Sequence, residues 1–202
     1  MIVYVESNFV LELVRLQNEA EACAEILGLA KEGRIRLVLP AFSAAEPFDV
    51  LRRSSADRQR LQAELDRQLR LLGRTTTFAT QLARAAEVTA LLTESTRVET
   101  ERLHDVLAEI LGLAEVIPIT AATLQGARDA QRALGLRLQD SVVYTSVLTH
   151  ARSAGEERKC FLERDAKDFL TPDIEEALQG HDCRIITSFA GGLGFIREQI
   201  HA

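Results

Sequence analysis

Short apolar runs alternate with helical patterns over most of the chain. The run Ile2–Val5 is apolar and rich in β-branched residues, and apolar side chains then recur at helical spacing from Val10 to Leu16. Further strand-type runs lie at residues 35–39, 160–162 and 184–186, and helical patterns begin near Phe42, cover residues 121–134 and run from 141 to about 151. This alternation predicts an α/β domain around a mostly parallel sheet.

Between residues 50 and 114 the strand pattern is absent. Apolar residues here repeat at the spacing of two helices, Leu61, Leu65, Leu69 and Leu72 in the first, and Leu103, Val106, Leu107, Ile110 and Leu111 in the second. We therefore predict one domain over residues 1–202, with a helical insertion at about 50–114.

The two halves of the predicted insertion carry opposite charge. Residues 52–74 hold seven arginines against three acidic residues, whereas residues 75–119 hold three arginines against seven acidic residues. Two helices that form ion pairs in a hairpin would account for this pattern, and so would a dimer interface. A third interpretation is an arm that binds nucleic-acid phosphates through its arginines, namely Arg52, Arg53, Arg58, Arg60 and Arg67.

The composition excludes several classes of protein and of binding site. The chain has 24 basic and 30 acidic residues and a net charge of −6, which excludes a basic nucleic-acid-binding surface over the whole domain. Three widely spaced cysteines exclude a disulfide framework and a CxxC zinc site. The uncharged run at residues 185–196, which no other uncharged run exceeds in length, is too short to cross a bilayer. We expect a cytoplasmic protein with no membrane partner.

Acidic residues follow the predicted strands. Because ligands of open parallel sheets bind beyond the carboxyl ends of the strands, these side chains are expected to share one edge. A cluster of carboxylates is stable when a cation lies among them, and oxygen ligands alone select Mg²⁺ or Mn²⁺. The candidates are Glu6, Glu46, Asp140, Asp165 and Asp168.

Each of these acids also has a purely structural interpretation. Glu6 fits the start of a helix, Ser43 with Glu46 fits a capping box, and Asp140 fits a first helical turn. Asp165 and Asp168 fit an ordinary polar loop. The Gly-rich segment 191–194 lacks a phosphate-binding motif and is predicted to be a turn. The four histidines show no metal-ligand spacing and are expected to be ordinary surface or core residues: His104, His150, His181 and His201.

Four stretches of the chain together resemble the PIN-domain ribonucleases, including the toxins of the VapBC type. VYVESNFVLELV is similar to the opening strand, acid and helix of that family, and AFSAAEP to the segment with its second acid. The stretch VIPITAATLQGARDAQRALGLRLQDSVVYTSVLTHA resembles the block that ends in the third acid, and FLERDAKDF the closing strand with the fourth. The resemblance covers residues 1–48 and 115–190, and its most specific element is Gly135–Asp140.

The resemblance implies a PIN-like α/β/α sandwich that hydrolyses RNA phosphodiester bonds through a water activated by one or two Mg²⁺ or Mn²⁺ ions. Glu6, Glu46, Asp140 and Asp165 would be the catalytic metal ligands, and Asp168 would bind metal through water. Ser7 and Asn8 would support the first acid. RNA is the implied substrate, and an antitoxin-like protein inhibitor and a second copy of the chain are further candidate partners.

The chain departs from the family pattern at three places. Glu6 stands where Asp is usual, Pro47 disfavours helical geometry at Glu46, and the insertion makes the chain longer than compact toxins. These departures leave two alternatives open. One is a catalytically degraded PIN-like module that binds RNA or protein, and the other is an interaction protein whose helical hairpin dimerises or docks a partner.

Overall fold

The computed structural model describes residues 1–74, 77, 79–164 and 169–201, and for residues 79–81, 83, 84 and 86 it describes the backbone alone. The chain divides into two compact units. The first consists of Met1–Pro47 together with Val106–Ala202, and the second of Phe48–Asp105. The predicted division into one domain with an insertion at about 50–114 stays a prediction.

A five-stranded sheet forms the centre of the first unit. Its strands are β1 Ile2–Val5, β2 Arg36–Pro40, β3 Glu115–Ile117, β4 Lys159–Leu162 and β5 Cys183–Ile186. They are all parallel and lie in the order β3-β2-β1-β4-β5. Strands β1 and β4 are buried along their whole length and β2 is buried from Leu37 onward, whereas the edge strands β3 and β5 are partly exposed. The predicted α/β class is confirmed.

The helices are α1 Ser7–Arg15, α2 Ala20–Lys31, α3 Ala41–Leu72, α4 Ala79–Leu113, α5 Ala121–Leu134, α6 Leu138–Ser153, α7 Pro172–Gln179 and α8 Phe189–His201. They connect the strands, with α1 and α2 between β1 and β2, α3 and α4 between β2 and β3, α5 and α6 between β3 and β4, and α7 between β4 and β5, while α8 follows β5. The Thr120 side chain caps the N-terminus of α5, and the C-cap of α5 is Gly135, whose φ of 70° is left-handed.

The side on which the chain adds successive strands changes at the centre of the sheet, between β1 and β4. From β1 the chain proceeds toward β2 and β3, whereas from β4 it proceeds toward β5 on the other side. Because such crossovers are right-handed, the α1–α2 and α5–α6 connections lie on opposite faces, which is compatible with an α/β/α sandwich. The carboxyl ends of β1 and β4 therefore flank the topological switch point, the usual binding crevice of parallel sheets.

The Gly-rich segment 191–194 is helical, so the predicted turn is wrong. It lies in the first half of α8, which packs on β4. A Cβ at Gly192 would come within 2.5 Å of the Leu162 side chain. Close packing of the helix on the sheet, rather than a special backbone conformation, accounts for this glycine.

The second unit contains a hairpin formed by parts of α3 and α4. Arg58 of α3 donates to Glu99 of α4 over 2.6 Å, and Thr93 donates to Gln62 over 2.9 Å. The two contacts advance in opposite directions along the helices, which are therefore antiparallel. The ion-paired hairpin is thus observed, while the nucleic-acid arm and the dimer interface stay predictions.

The other arginines proposed for RNA binding have local partners. Arg52 pairs with Asp49, Arg60 with Asp57 and Arg67 with Glu64, and Arg53 donates to the Asp49 carbonyl. These pairs lie on an exposed surface, where an ion pair contributes little to stability.

None of the helices in the described part of the chain is both long and apolar enough to cross a bilayer. The thiols of the three cysteines are free and buried.

Candidate functional site

Glu6 occupies the junction between β1 and α1. It is the N-cap of α1, and its Oε2 accepts a hydrogen bond from the backbone N–H of Asn8 at 2.8 Å. Only 4% of the residue is exposed. The predicted structural role at the helix start is therefore confirmed, and it places a carboxyl group in the protein interior at the carboxyl end of a central strand.

Ser7 joins Glu6 to Glu46. Its Oγ lies 2.9 Å from Oε2 of Glu6 and 2.7 Å from Oε2 of Glu46, which belongs to α3. Helix α3 continues through Pro47, so the expectation that this proline disfavours helical geometry at Glu46 is wrong. The fold thus brings together the ends of β1 and β2, as the sequence predicts for the first two acids.

The hydroxyl of Ser7 has one proton for two carboxyl groups. If both Glu6 and Glu46 were ionised, one of them would face a hydroxyl lone pair, which is repulsive. An added positive charge, either a proton on Glu6 or a cation beside the two carboxyl groups, removes this conflict. Consistently, the pKa of Glu6 is raised from 4.5 to about 7, chiefly by burial and also by the charge of Glu46, against the lowering effect of the hydrogen bonds from Asn8 and Ser7.

One carboxyl oxygen of Glu6 has no hydrogen-bond partner among the described residues. Oε1 is buried, and the same is true of Oγ of Ser43 in the first turn of α3. The capping-box interpretation of Ser43 with Glu46 is wrong, because α3 begins at Ala41 and Glu46 instead lies against Ser7. A buried carboxylate oxygen without a partner is costly unless a cation or water contacts it. The oxygen donors at Glu6 and Glu46 therefore fit a hard divalent ion.

Asp140 lies in the first turn of α6, as predicted. Its side chain is 23% exposed and pairs with Nε of Arg137 at 3.1 Å. Within residues 1–74, 77, 79–164 and 169–201, no three His, Cys, Asp or Glu side chains form a group that could hold a metal ion. The structure thus joins Glu6 with Glu46 but does not join Asp140 to them. Asp165 and Asp168 lie outside the described residues.

Two buried acids were not among the sequence candidates. Glu163 directly follows β4 and is 3% exposed, and Glu12 of α1 is fully buried. Val5 and Leu162 are in register, so Glu6 and Glu163 follow neighbouring strands at the same level. The sequence does contain signals for both. Glu163 follows its strand as Glu6 does, and Glu12 lies on the apolar face of α1.

His150 belongs to a hydrogen-bonded network at the opposite edge of the sheet. Its Nδ1 lies 2.8 Å from the Tyr4 hydroxyl, and its Nε2 lies 3.0 Å from Oε1 of Glu115, which also accepts from Arg36. His150 and Arg36 lower the pKa of Glu115. His150 is thus a satisfied residue, as expected, and Glu115 and Arg36 are the first residues of their strands.

Comparison of the chain with protein-family models, with curated proteins and with solved structures finds no match. The residues at the carboxyl edge of the sheet are therefore the basis for assigning a function to the chain. Glu6, Ser7 and Glu46 are in contact there, and Asn8 supports Glu6 through its backbone N–H.

Proposed function

We propose that the chain is a PIN-like, metal-dependent endoribonuclease that hydrolyses RNA phosphodiester bonds. The observation that carries the proposal is the contact of Glu6 and Glu46 through Ser7, with Oε1 of Glu6 buried and lacking a partner among the described residues. This arrangement lies at the carboxyl edge of a parallel sheet, beside the switch point, where ligands of such sheets bind.

Mg²⁺ or Mn²⁺ is the proposed cofactor, because the donors are carboxylate oxygens. Glu6 and Glu46 would hold it, with Asp140, Asp165 and Asp168 as the further ligands that the sequence resemblance implies. A bound divalent ion would polarise the phosphodiester and lower the pKa of a water molecule.

The neighbouring residues prepare the two acids for this role. The backbone N–H of Asn8 and the hydroxyl of Ser7 fix Oε2 of Glu6, whereas its buried Oε1 has no hydrogen-bond partner among the described residues. The second contact of Ser7 fixes the carboxyl group of Glu46. Burial of Glu6 excludes bulk water and strengthens its attraction to a cation.

RNA hydrolysis with Mn²⁺ tests the proposal. The parent chain is expected to cleave a labelled single-stranded RNA and to leave 5′-phosphate ends, with EDTA abolishing the reaction. Glu46→Gln and Asp140→Asn should each lower the rate at least about 100-fold, since loss of a mere supporting residue already costs 10- to 100-fold. Glu175→Gln, an exposed change on α7, is the matched control and should cleave like the parent.

Cleavage by Asp140→Asn at the parent rate would remove Asp140 from the site. Equal cleavage by Glu46→Gln would contradict the function of the Glu6–Glu46 pair, and failure of the parent chain to cleave RNA with either ion would contradict the nuclease itself.

A second candidate function is a PIN-like module that binds RNA or protein without cleaving it. The ion pair between Arg137 and Asp140 favours it, because the carboxylate already has a cationic partner. Titration with Mn²⁺ separates the two candidates. The nuclease should bind the ion in calorimetry and melt at a higher temperature with it, whereas the degraded module should show neither effect.

A further inference from the structure

The chain that leaves β4 carries a fixed arginine. The backbone N–H of Glu163 still donates to the carbonyl of Ile186 at 3.0 Å, so Arg164 is the next residue after the last ladder contact. Strand β4 lies beside β1, and Leu162 is in register with Val5. Arg164 therefore adds a positive charge to the edge that carries the carboxyl groups of Glu6 and Glu163.

A buried carboxylate holds this arginine. Glu12 of α1 is fully buried, and its Oε1 forms an ion pair with Nη1 of Arg164. Its Oε2 accepts a hydrogen bond from the backbone N–H of Glu19 at 3.0 Å, whereas Oε1 has no hydrogen-bond partner among the described residues and is held by the ion pair alone. A carboxylate that is buried in this way strongly resists separation from its cation.

Arg164 nevertheless remains accessible. Its side chain is 40% exposed, and its contact with Glu12 is through Nη1 of a guanidinium group that has five N–H donors. The planar arrangement of these donors matches the two non-bridging oxygens of a phosphodiester. A guanidinium that is oriented before binding also loses less entropy when it binds.

We propose that Arg164 binds a backbone phosphate of the RNA next to the reacting phosphodiester, and that Glu12 is the positioning residue that orients it. The inference rests on the proposed ribonuclease function and adds to it the substrate contact at the β4 side of the crevice. The carboxyl groups at this edge repel a polyanion, and a fixed arginine beside them offsets that repulsion locally.

Binding without cleavage tests the inference. A fluorescein-labelled single-stranded RNA of mixed sequence is titrated with the full chain in EDTA, and anisotropy is followed at several KCl concentrations. Arg164→Gln is expected to weaken binding about tenfold and to reduce the slope of log K against log salt by about 0.7, the loss of one phosphate contact on a single strand. Arg164→Lys keeps the charge and should retain the slope but weaken binding about threefold.

Two further variants separate binding from folding. Arg197→Gln removes an exposed arginine that pairs with Glu25 elsewhere on the first unit, so it changes the net charge equally and should bind RNA like the parent. Glu12→Gln removes a negative charge, for which general electrostatics predicts tighter binding. Loss of the orientation of Arg164 predicts weaker binding, by about threefold. The melting temperature of each variant is measured to check that the variant is folded.

The outcomes distinguish the two proposals. If Arg164→Gln and Arg164→Lys bind RNA with the parent affinity and salt slope, Arg164 has a structural role alone. That result overturns the inference, whatever the nuclease assay shows. Tighter binding by Glu12→Gln overturns the positioning role of Glu12. A parent chain that binds RNA but does not cleave it with Mn²⁺ contradicts the nuclease alone, and one that does not bind RNA contradicts both.

Discussion

The hydroxyl of Ser7 lies 2.7 Å from Glu46, although the two residues are 39 positions apart in the chain. The contact connects the first turn of α1 with α3, because β1 and β2 are neighbours and both helices start at the same edge. Ser7 therefore does more than begin a helix, because its hydroxyl holds two carboxyl groups together.

Removal of this hydroxyl should weaken ion binding. In Ser7→Ala, Glu46 loses its link to Glu6, and we expect the affinity for Mn²⁺ in calorimetry to fall about tenfold, as is typical of residues that orient ligands. Ser153→Ala is the control, since Ser153 donates to the carbonyl of His150 at an exposed helix end. Unchanged Mn²⁺ affinity in Ser7→Ala would show that the two carboxyl groups do not act together.

The stability of the ion-free chain should decrease as the pH rises from about 4.5 to 7. Because the pKa of Glu6 is raised to about 7 in the folded state, folding favours the protonated carboxyl, and this contribution is lost as the proton leaves. The shift corresponds to about 3 kcal/mol in the free energy of unfolding at pH 8. Glu6→Gln should therefore be more stable than the parent at pH 8 and no more stable at pH 4.

Urea unfolding at several pH values in EDTA measures this difference. Glu175→Gln, which removes an exposed carboxyl, should follow the pH dependence of the parent. A Glu6→Gln variant that loses stability equally at pH 4 and pH 8 would show that its effect comes from packing rather than from charge.

Two glycines of α8 should respond to alanine in opposite directions. In Gly192→Ala the new Cβ would approach Leu162 to 2.5 Å, and the overpacking should cost about 1–3 kcal/mol in urea unfolding. Gly194 has nothing within 4 Å of a new Cβ, and Gly194→Ala should stabilise the helix by about 0.5–1 kcal/mol. Equal effects of the two changes would contradict the close packing of α8 on β4.

The hairpin of the second unit should depend on Arg58. Its pair with Glu99 is largely buried, with 24% and 14% of the side chains exposed, so Arg58→Ala should cost about 2 kcal/mol. Backbone amides of the hairpin should then exchange hydrogen about thirtyfold faster, as followed by mass spectrometry. Arg60→Ala, where the side chain is 80% exposed, should leave the exchange unchanged. If Arg60→Ala accelerated exchange as much as Arg58→Ala does, the effect would come from the lost charge and not from the buried pair.

Local sequence pattern determined most of the secondary structure. The apolar runs at β1 and β2 and the stop of α5 at Gly135 follow from short-range chemistry, namely β-branched residues and a glycine with positive φ. The same local signals were misleading at segment 191–194. Three glycines predict a turn, but the segment is helical, and Gly192 lies close to the Leu162 side chain.

The candidate site shows the same division. That Glu6 and Glu46 meet could be predicted from the sequence, because the carboxyl ends of neighbouring parallel strands share an edge. The sequence did not reveal the link through Ser7 or the pair of Glu12 with Arg164. It also did not reveal that Oε1 of Glu6 is buried without a hydrogen-bond partner among the described residues. Each depends on atoms from distant segments that meet only in the folded chain.

The sequence by itself thus determined the class of the fold and the acids that stand at strand ends, since both are set by residue type and spacing along the chain. The tertiary structure alone decided which acids are buried, which are joined through a serine hydroxyl and which are held by an arginine. The physical reason is that burial and hydrogen bonding depend on long-range packing, and these two factors set the charge state of a carboxyl group.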